Sequence, residues 1–300
     1  NGIWTIRIGF MKNNLKGIVL AGGSGSRLYP ATLGLSKQLV TVYNKPMIYY
    51  PISVLMLVGI RDILIITTSE DQNNFKRLLG NGNQFGCNFT YKIQNEPKGL
   101  AEAFLIGREF IGDSNVTLIL GDNIFYGAGF GSLVREVVIS KGACIFGTEV
   151  KHPERFGVAE LNKDGTVKSI QEKPEHPVSN LAIPGLYFYD NTVVEKVNKL
   201  APSSRGELEI TDLNKLYMND GQLQIKVLPR GTTWFDTGTP DSLFEAISFV
   251  KLLESNTQKK IACLEEIALI MGFINKEEFM YQAKKFKSNE YGLYLEGIIK

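Results

Sequence analysis

The chain has 300 residues, enough for one large α/β domain or two modest ones. Its 33 basic and 31 acidic side chains leave a net charge of +2, and with the basic residues dispersed this offers no nucleic-acid-binding surface. Apolar residues make up 44% of the chain, yet no run reaches transmembrane length, so a membrane span is not expected. The three cysteines, Cys87, Cys144 and Cys263, contain no Cys-x-x-Cys pair. They read as reduced core thiols of a cytoplasmic protein without structural zinc. The two histidines, His152 and His176, each precede a proline in a polar segment, which argues against histidine acid–base chemistry.

Residues 1–12 read as a tail outside the fold. The first predicted strand, 15–20, ends on Leu20 and runs into Gly22-Gly23-Ser24-Gly25-Ser26-Arg27, with Lys37-Gln38 shortly after. Glycines let backbone N–H groups approach an anion closely. Arginine matches phosphate oxygens bidentately and lysine adds a compact charge. A Walker loop is excluded because no Gly-Lys-Ser/Thr follows Gly25. The dinucleotide fingerprint fails because Leu28 stands where its third glycine or alanine belongs. The loop thus reads as a polyphosphate cradle of a third kind or as a tight turn with a solvated arginine.

Downstream, a helix is predicted over 47–58, stopped by Gly59. A buried strand (62–68), a helix (71–79), a strand (89–94), a helix (100–110) and a strand (116–120) ending on Gly121-Asp122 follow. This alternation predicts an α/β fold, a Rossmann-like, mostly parallel twisted sheet flanked by helices. Ligands of such sheets bind at the carboxyl ends of strands. In the second half, strands over 158–161 and 167–171 flank Asp164-Gly165 as a hairpin. Further strands are predicted over 183–189, 223–228 and 233–235. From Thr239, a cap, and Pro240, suited to a first turn, the chain turns helical, with Leu243, Phe244, Ile247, Val250 and Leu253 as its apolar stripe. Two more helices are predicted over 264–274 and 276–286. The expected organisation is a domain over 13–240, with sub-regions over about 13–124 and about 143–236. A C-terminal helical appendage over 241–300 is expected to carry oligomer contacts.

Asp122 and Asp236 each follow an apolar strand, and a buried carboxylate needs a cation. The two read either as ligands sharing Mg²⁺, with substrate phosphates completing its shell, or as separate caps and salt bridges. Glu172 and Lys173 emerge together at the end of the second hairpin strand, either gripping sugar hydroxyls and phosphate or simply solvated. The charge-dense segment from Arg205 to Asp212 reads on its own as an exposed helix start.

Together these blocks carry a resemblance. Leu20-Ala-Gly-Gly-Ser-Gly-Ser-Arg-Leu-Tyr-Pro30, Ser36-Lys-Gln-Leu39, Gln94-Asn-Glu-Pro-Lys-Gly-Leu-Ala101, Gly121-Asp-Asn123, Arg155-Phe-Gly-Val158, Glu172-Lys-Pro174 and Trp234-Phe-Asp-Thr-Gly-Thr239 occur in order. From about Lys16 onward the chain resembles the sugar-phosphate nucleotidyltransferases, most closely the branch that uses dTTP. The resemblance implies nucleotide binding in about 13–124, by Leu20, Gly22, Gly23, Ser24, Gly25, Arg27, Lys37 and Asp122, and sugar-phosphate binding in about 143–236. Gly22, Gly23, Gly25 and Arg27 would wrap the triphosphate and Lys37 would contact phosphate. It implies that Gln38, Gln94 and Gly99 read the base, and that Asp122 and Asp236 hold Mg²⁺. Gly157, Glu172 and Ile183 would line the glucose, with Lys173 and Arg205 on its phosphate. Arg27, Lys37, Lys173, Asp122 and Asp236 would form the catalytic set. Substrates dTTP and glucose 1-phosphate, a homotetramer and a dTDP-rhamnose type of deoxysugar pathway are implied as well. Glu102 stands where glutamine is common in that family.

Overall fold

A computed structural model describes residues 14–23, 25–137 and 139–299. The predicted tail over 1–12 lies outside the described residues. Strand β1 (Leu15–Ala21) leaves the glycine loop to close into a single 3-10 turn, Ser26–Leu28, capped by Gly25 in the left-handed region at φ 63. A second such turn, Lys37–Leu39, precedes the short hairpin of β2 (Thr41–Val42) and β3 (Lys45–Pro46). Helix α1 (Tyr49–Val58) starts two residues later than the apolar run predicts and stops at Gly59 as expected. Then follow β4 (Asp62–Thr67), α2 (Gln72–Leu79) and β5 (Asn88–Ile93). The single helix predicted over 100–110 is two pieces, α3 (Glu102–Ile106) and α4 (Arg108–Ile111), joined at Gly107. A Cβ on Gly107 would lie 3.1 Å from Ile18 Cδ1 and 3.2 Å from Leu64 Cδ2, so the helix breaks where it presses on the sheet. Strand β6 (Asn115–Leu120) completes this half.

The second half brings β7 (Ile124–Tyr126), α5 (Phe130–Arg135) and β8 (Ala143–Glu149), then the hairpin of β9 (Gly157–Leu161) and β10 (Val167–Glu172). Next come β11 (Leu181–Ala182), which the sequence does not predict, and β12 (Leu186–Tyr189), which starts three residues later than the strand predicted over 183–189. Pro184 cannot donate to a ladder, and a Cβ on Gly185 would sit 2.5 Å from Leu120 Cγ, so the regular ladder of β12 begins only after them, with the Gly185 carbonyl accepting from Leu120 N at 2.9 Å. After α6 (Val193–Val197), α7 (Ile210–Asn219), β13 (Leu223–Val227) and β14 (Thr233–Phe235), the chain ends in α8 (Pro240–Thr257), α9 (Leu264–Ile270), α10 (Lys276–Lys285) and α11 (Glu290–Ile299).

Ten strands form the main sheet in the order β10-β9-β11-β8-β12-β6-β1-β4-β5, with β13 also pairing β8. Strands β5, β4, β1 and β6 run parallel, as the alternation predicts, and the β8–β12 region pairs antiparallel. Ile18, Val19 and Ala21 are fully buried, as expected of a strand covered on both faces. The sequence reading placed no strand at β8, which is apolar without alternation yet lies in the middle of the sheet.

Register positions the site. Leu20 stands opposite both Ile66 and Leu120, so the glycine loop and Gly121-Asp122 leave the sheet at one edge. In the separate β7/β14 ribbon Phe235 pairs with Ile124, which carries Asp236 back beside Asn123. One hydrophobic cluster joins Leu55 and Met56 of α1 to Leu264, Ala268, Phe279 and Leu295 of the C-terminal helices. In α8, Thr239 caps as predicted, but the buried face is Ala246, Val250 and Glu254. That four-residue spacing turns Phe244 outward, 69% exposed, and corrects its place on the predicted stripe. Among the described residues no helix is long and apolar enough to cross a membrane.

Candidate active site

The glycine loop is built for close approach. Gly25 packs against Lys37 and Thr32, where an added Cβ would find Lys37 Cβ at 3.1 Å. Thr32 Oγ1 donates to the Gly25 carbonyl at 2.8 Å, closing the turn. Gly23 faces open space, and Ser24 lies outside the described residues. The Leu20 carbonyl accepts from Gly121 N at 2.9 Å, which ties the loop's root to that of Asp122.

Around this edge the basic and acidic residues come together. Lys37, 5% exposed, donates from Nζ to Asp122 Oδ2 at 2.6 Å and to the Asp236 carbonyl at 3.4 Å. Thr237 Oγ1 donates to the Asp122 carbonyl at 2.7 Å, linking the two aspartate segments. A Cβ on Gly238 would meet Arg27 Nη2 at 2.9 Å and Asp236 Oδ2 at 3.1 Å, so Arg27 reaches the same spot. The predicted Arg27, Lys37, Asp122 and Asp236 are therefore one cluster. Two residues without a predicted role complete it. Arg155 donates from Nη2 to Asp236 Oδ2 at 3.1 Å. Asn123 donates to Asp122 Oδ1 at 2.8 Å, while its own Oδ1 accepts from Gly185 N at 2.9 Å and Trp234 Nε1 at 2.6 Å.

A second group lies on the antiparallel side. Glu172 stands opposite Gly157, and Ile183 N donates to the Gly157 carbonyl at 2.8 Å. An added Cβ on Gly157 would find Thr211 Oγ1 at 3.3 Å, Glu172 Oε2 at 3.7 Å and Ile183 Cβ at 3.8 Å. The predicted sugar-lining trio is thus contiguous. Thr211 donates to Glu172 Oε2 at 2.5 Å, an orienting contact that no sequence motif signals. Lys173 has φ 41, and its Nζ lies 3.5 Å from Glu172 Oε1. Arg205 reaches Glu172 at 3.7 Å and is gripped by Glu209, to which Nε donates at 3.2 Å and Nη2 at 2.9 Å. Burial pulls the Arg205 guanidinium down, and the Glu209 hydrogen bond with the charges of Glu209, Glu207 and Glu172 outweighs it and raises it. Beneath both groups is Tyr187, its phenol pushed up by burial and then by the Glu172 and Asp122 charges.

The predicted base readers sit at the loop's other flank. Gln94 has its Oε1 at 2.7 Å from where a Gly22 Cβ would stand. Its Nε2 donates to Glu102 at 2.7 Å and to the Gly99 carbonyl at 3.3 Å. Gln38 is buried beside Gly121 and accepts from Ser36 Oγ at 2.7 Å. Among the described residues no group of three or more His, Cys, Asp or Glu side chains is placed to hold a metal. Asp122 and Asp236 alone fit a hard cation whose remaining positions are filled by ligand oxygens.

A sheet's carboxyl edge with glycine-loop amides, three basic side chains (Arg27, Lys37 and Arg155) and two carboxylates suits a polyphosphate and an acceptor beside it. Comparison with known proteins agrees. The nucleotidyl transferase family model matches residues 16–252. Glucose-1-phosphate thymidylyltransferase of Neisseria meningitidis is 54% identical over 95% of this chain and 100% of its own length. That of Mycolicibacterium smegmatis is 52% identical over 94% of this chain and 98% of its own length. A Bacillus anthracis protein assigned as a glucose-1-phosphate thymidylyltransferase, crystallised with sucrose, superposes with a TM-score of 0.73 at 40% identity, covering 78% of this chain and 94% of that one. A UDP-glucose pyrophosphorylase complexed with UDP-glucose shares the fold, at a TM-score of 0.68 and 24% identity over 80% of this chain and 99% of that one. The chain belongs to the nucleotidyltransferase family and is an enzyme of that class, among relatives that are glucose-1-phosphate thymidylyltransferases.

Proposed function

We propose that this enzyme transfers a thymidylyl group from dTTP to glucose 1-phosphate, giving dTDP-glucose and pyrophosphate. The observation that carries the reading is end-to-end identity of 54% to a relative of that name. A phosphate oxygen of glucose 1-phosphate attacks the α-phosphorus, and the bond to the β-phosphate oxygen breaks, the electron pair leaving with pyrophosphate. The attacking phosphate is already ionised at neutral pH, so no protein nucleophile is needed. The obstacle is repulsion between two anions, and Arg27, Lys37 and Lys173 lower it by neutralising charge as it moves. Asp122 and Asp236 would hold Mg²⁺, which supplies Lewis-acid neutralisation of phosphate oxygens. Gly157, Glu172 and Ile183 orient the sugar, with Arg205 and Lys173 on its phosphate. Gln38, Gln94 and Gly99 read the base. The division into a catalytic domain over 13–240 and C-terminal helices over 241–300 that make oligomer contacts is part of the same reading. So are a cytoplasmic homotetramer and a product feeding deoxysugar synthesis of the dTDP-rhamnose type.

UTP is the competing donor, because one methyl in an apolar pocket discriminates by only about 10–200-fold. The test is pyrophosphate release by the purified chain with glucose 1-phosphate and Mg²⁺, comparing dTTP, UTP, ATP, CTP and GTP. A preference for dTTP, abolished by EDTA, is the expected result. Preference for UTP or ATP moves the enzyme to another donor on the same site, and silence with every nucleotide overturns the transfer reading.

A further inference from the structure

Gln94 emerges directly from β5, and its side chain is buried, with 6% exposure. One terminal atom of its amide lies 2.7 Å from Glu102 Oε2 and 3.3 Å from the Gly99 carbonyl oxygen. Neither neighbour can donate: one is a backbone carbonyl, the other a carboxylate. An amide atom flanked by two acceptors is the nitrogen, so the chemistry of the pair fixes the amide orientation. Both Nε2 protons are spent on that side. Oε1 is left facing Gly22 of the glycine loop, 2.7 Å from where a Cβ there would stand.

Glu102 is itself held in place. It opens α3, three residues after Gly99, which lies in the left-handed region at φ 98. A Cβ on Gly99 would meet the Leu208 carbonyl oxygen at 2.4 Å. Ala101 N donates to that same carbonyl at 3.1 Å, and Leu208 N donates to the Lys98 carbonyl at 2.8 Å. The turn carrying Glu102 is therefore clamped to the segment before α7 by backbone contacts on both sides.

We propose that Glu102 is a positioning residue for nucleobase choice: it locks the Gln94 amide with only its acceptor toward the base. The inference rests on Gln94 facing the base, as in the transfer reading above. A lone acceptor suits a pyrimidine whose N3 carries a proton, such as thymine or uracil. It repels cytosine, whose N3 is itself an acceptor. A glutamine at position 102 could donate as well as accept, so the Gln94 amide could turn over and present its NH₂. An alanine there leaves only the longer contact to the Gly99 carbonyl, at 3.3 Å, to hold the amide.

The test compares kcat/KM for dUTP and dCTP, which differ only at the N3/C4 edge, in the parent, Glu102→Gln and Glu102→Ala, with glucose 1-phosphate saturating. Calorimetric titration with the same two nucleotides accompanies it. The parent favours dUTP. Both variants lose about tenfold or more of that dUTP/dCTP ratio, the scale expected when one buried donor–acceptor match is given up. The change falls on nucleotide KM and on binding, with kcat for dTTP and KM for glucose 1-phosphate holding. A ratio that stays put in folded variants, or an equal loss for both nucleotides, overturns the proposal. So does a parent that binds dCTP as well as dUTP. A parent that binds dUTP over dCTP but transfers neither breaks the transfer reading alone, and the binding ratios of the two variants then decide the role of Glu102.

Discussion

Each carboxylate of the sheet-edge cluster is held by a cation from a distant part of the chain: Asp122 by Lys37 at 2.6 Å, Asp236 by Arg155 at 3.1 Å. The pairs keep two acids together at one sheet edge without a large cost, because each charge is compensated. Asp122→Asn or Asp236→Asn should then lower kcat by at least about 10²-fold, the scale for loss of a main electrostatic stabiliser. Near-parent turnover at saturating Mg²⁺ would remove that aspartate from the catalytic set. Arg27 is exposed, so Arg27→Ala should cost a similar factor with the melting temperature within a degree or two of the parent's. A collapsed melting temperature would instead make Arg27 a structural prop for Gly238. Thr211 donates to Glu172 at 2.5 Å. Hydrogen bonds to charged groups contribute about 1.5–3 kcal/mol, so Thr211→Val should raise KM for glucose 1-phosphate roughly tenfold or more and leave KM for dTTP alone. Arg27, Lys37, Asp122 and Asp236 are legible in the sequence because glycine spacing and apolar strands flag them. Arg155 and Thr211 are not, because each acts on a residue that only the fold brings near, and Asn123 is not, because the Gly185 and Trp234 groups that hold it beside Asp122 come from distant parts of the chain.

At the scale of elements, periodicity finds a strand or helix and close packing decides where it stops. Gly107 splits a helix because the sheet lies beneath it, and Pro184-Gly185 delays the start of β12 because Leu120 occupies the space. The buried face of α8 contains Glu254, which accepts from Lys45 at 2.9 Å, from Asn44 at 2.6 Å and from Ile261 N at 2.9 Å. No apolar stripe announces such a face. Near it, at the start of α9, Glu265 is 3% exposed and accepts from Tyr291 at 2.6 Å, with Cys263 beside it. Burial pushes the Glu265 carboxyl up from its ordinary 4.5, against the Tyr291 hydrogen bond and the Lys45 charge. A carboxyl whose folded value exceeds its unfolded one gives stability that is present below the unfolded value and drains away as pH rises through the folded value. Glu265→Gln keeps an acceptor for Tyr291 and removes that drain. Its melting temperature should exceed the parent's at pH 8, with the gap closing toward pH 4. A gap that is constant across that range would mean the carboxyl does not titrate between the two states.

For the whole molecule, strand alternation and glycine punctuation made the parallel half of the sheet and its ligand edge readable, whereas register and long-range pairing were not. Strand β8 pairs with β11, β12 and β13, which approach it from two separate stretches of chain, and no local window contains that information. The C-terminal helices pose the same problem at larger scale. Read along the chain they follow the glycine loop and the two aspartates as an appendage, yet in space α9, α10 and α11 share a core with α1. Leu264, Phe279 and Leu295 are each fully buried there. At roughly 1.5–3 kcal/mol for each large apolar side chain, losing them and uncovering the α1 residues beneath would take most of a margin of about 5–15 kcal/mol. A chain ending at Thr257 should therefore aggregate on expression or unfold at least about 10 °C below the full chain. Its remaining activity should fall with its folded fraction and not with nucleotide affinity. If the shortened chain instead melts with the parent and turns over at the parent's rate, α9–α11 are an independent appendage, and the stability of α1 must come from the sheet alone.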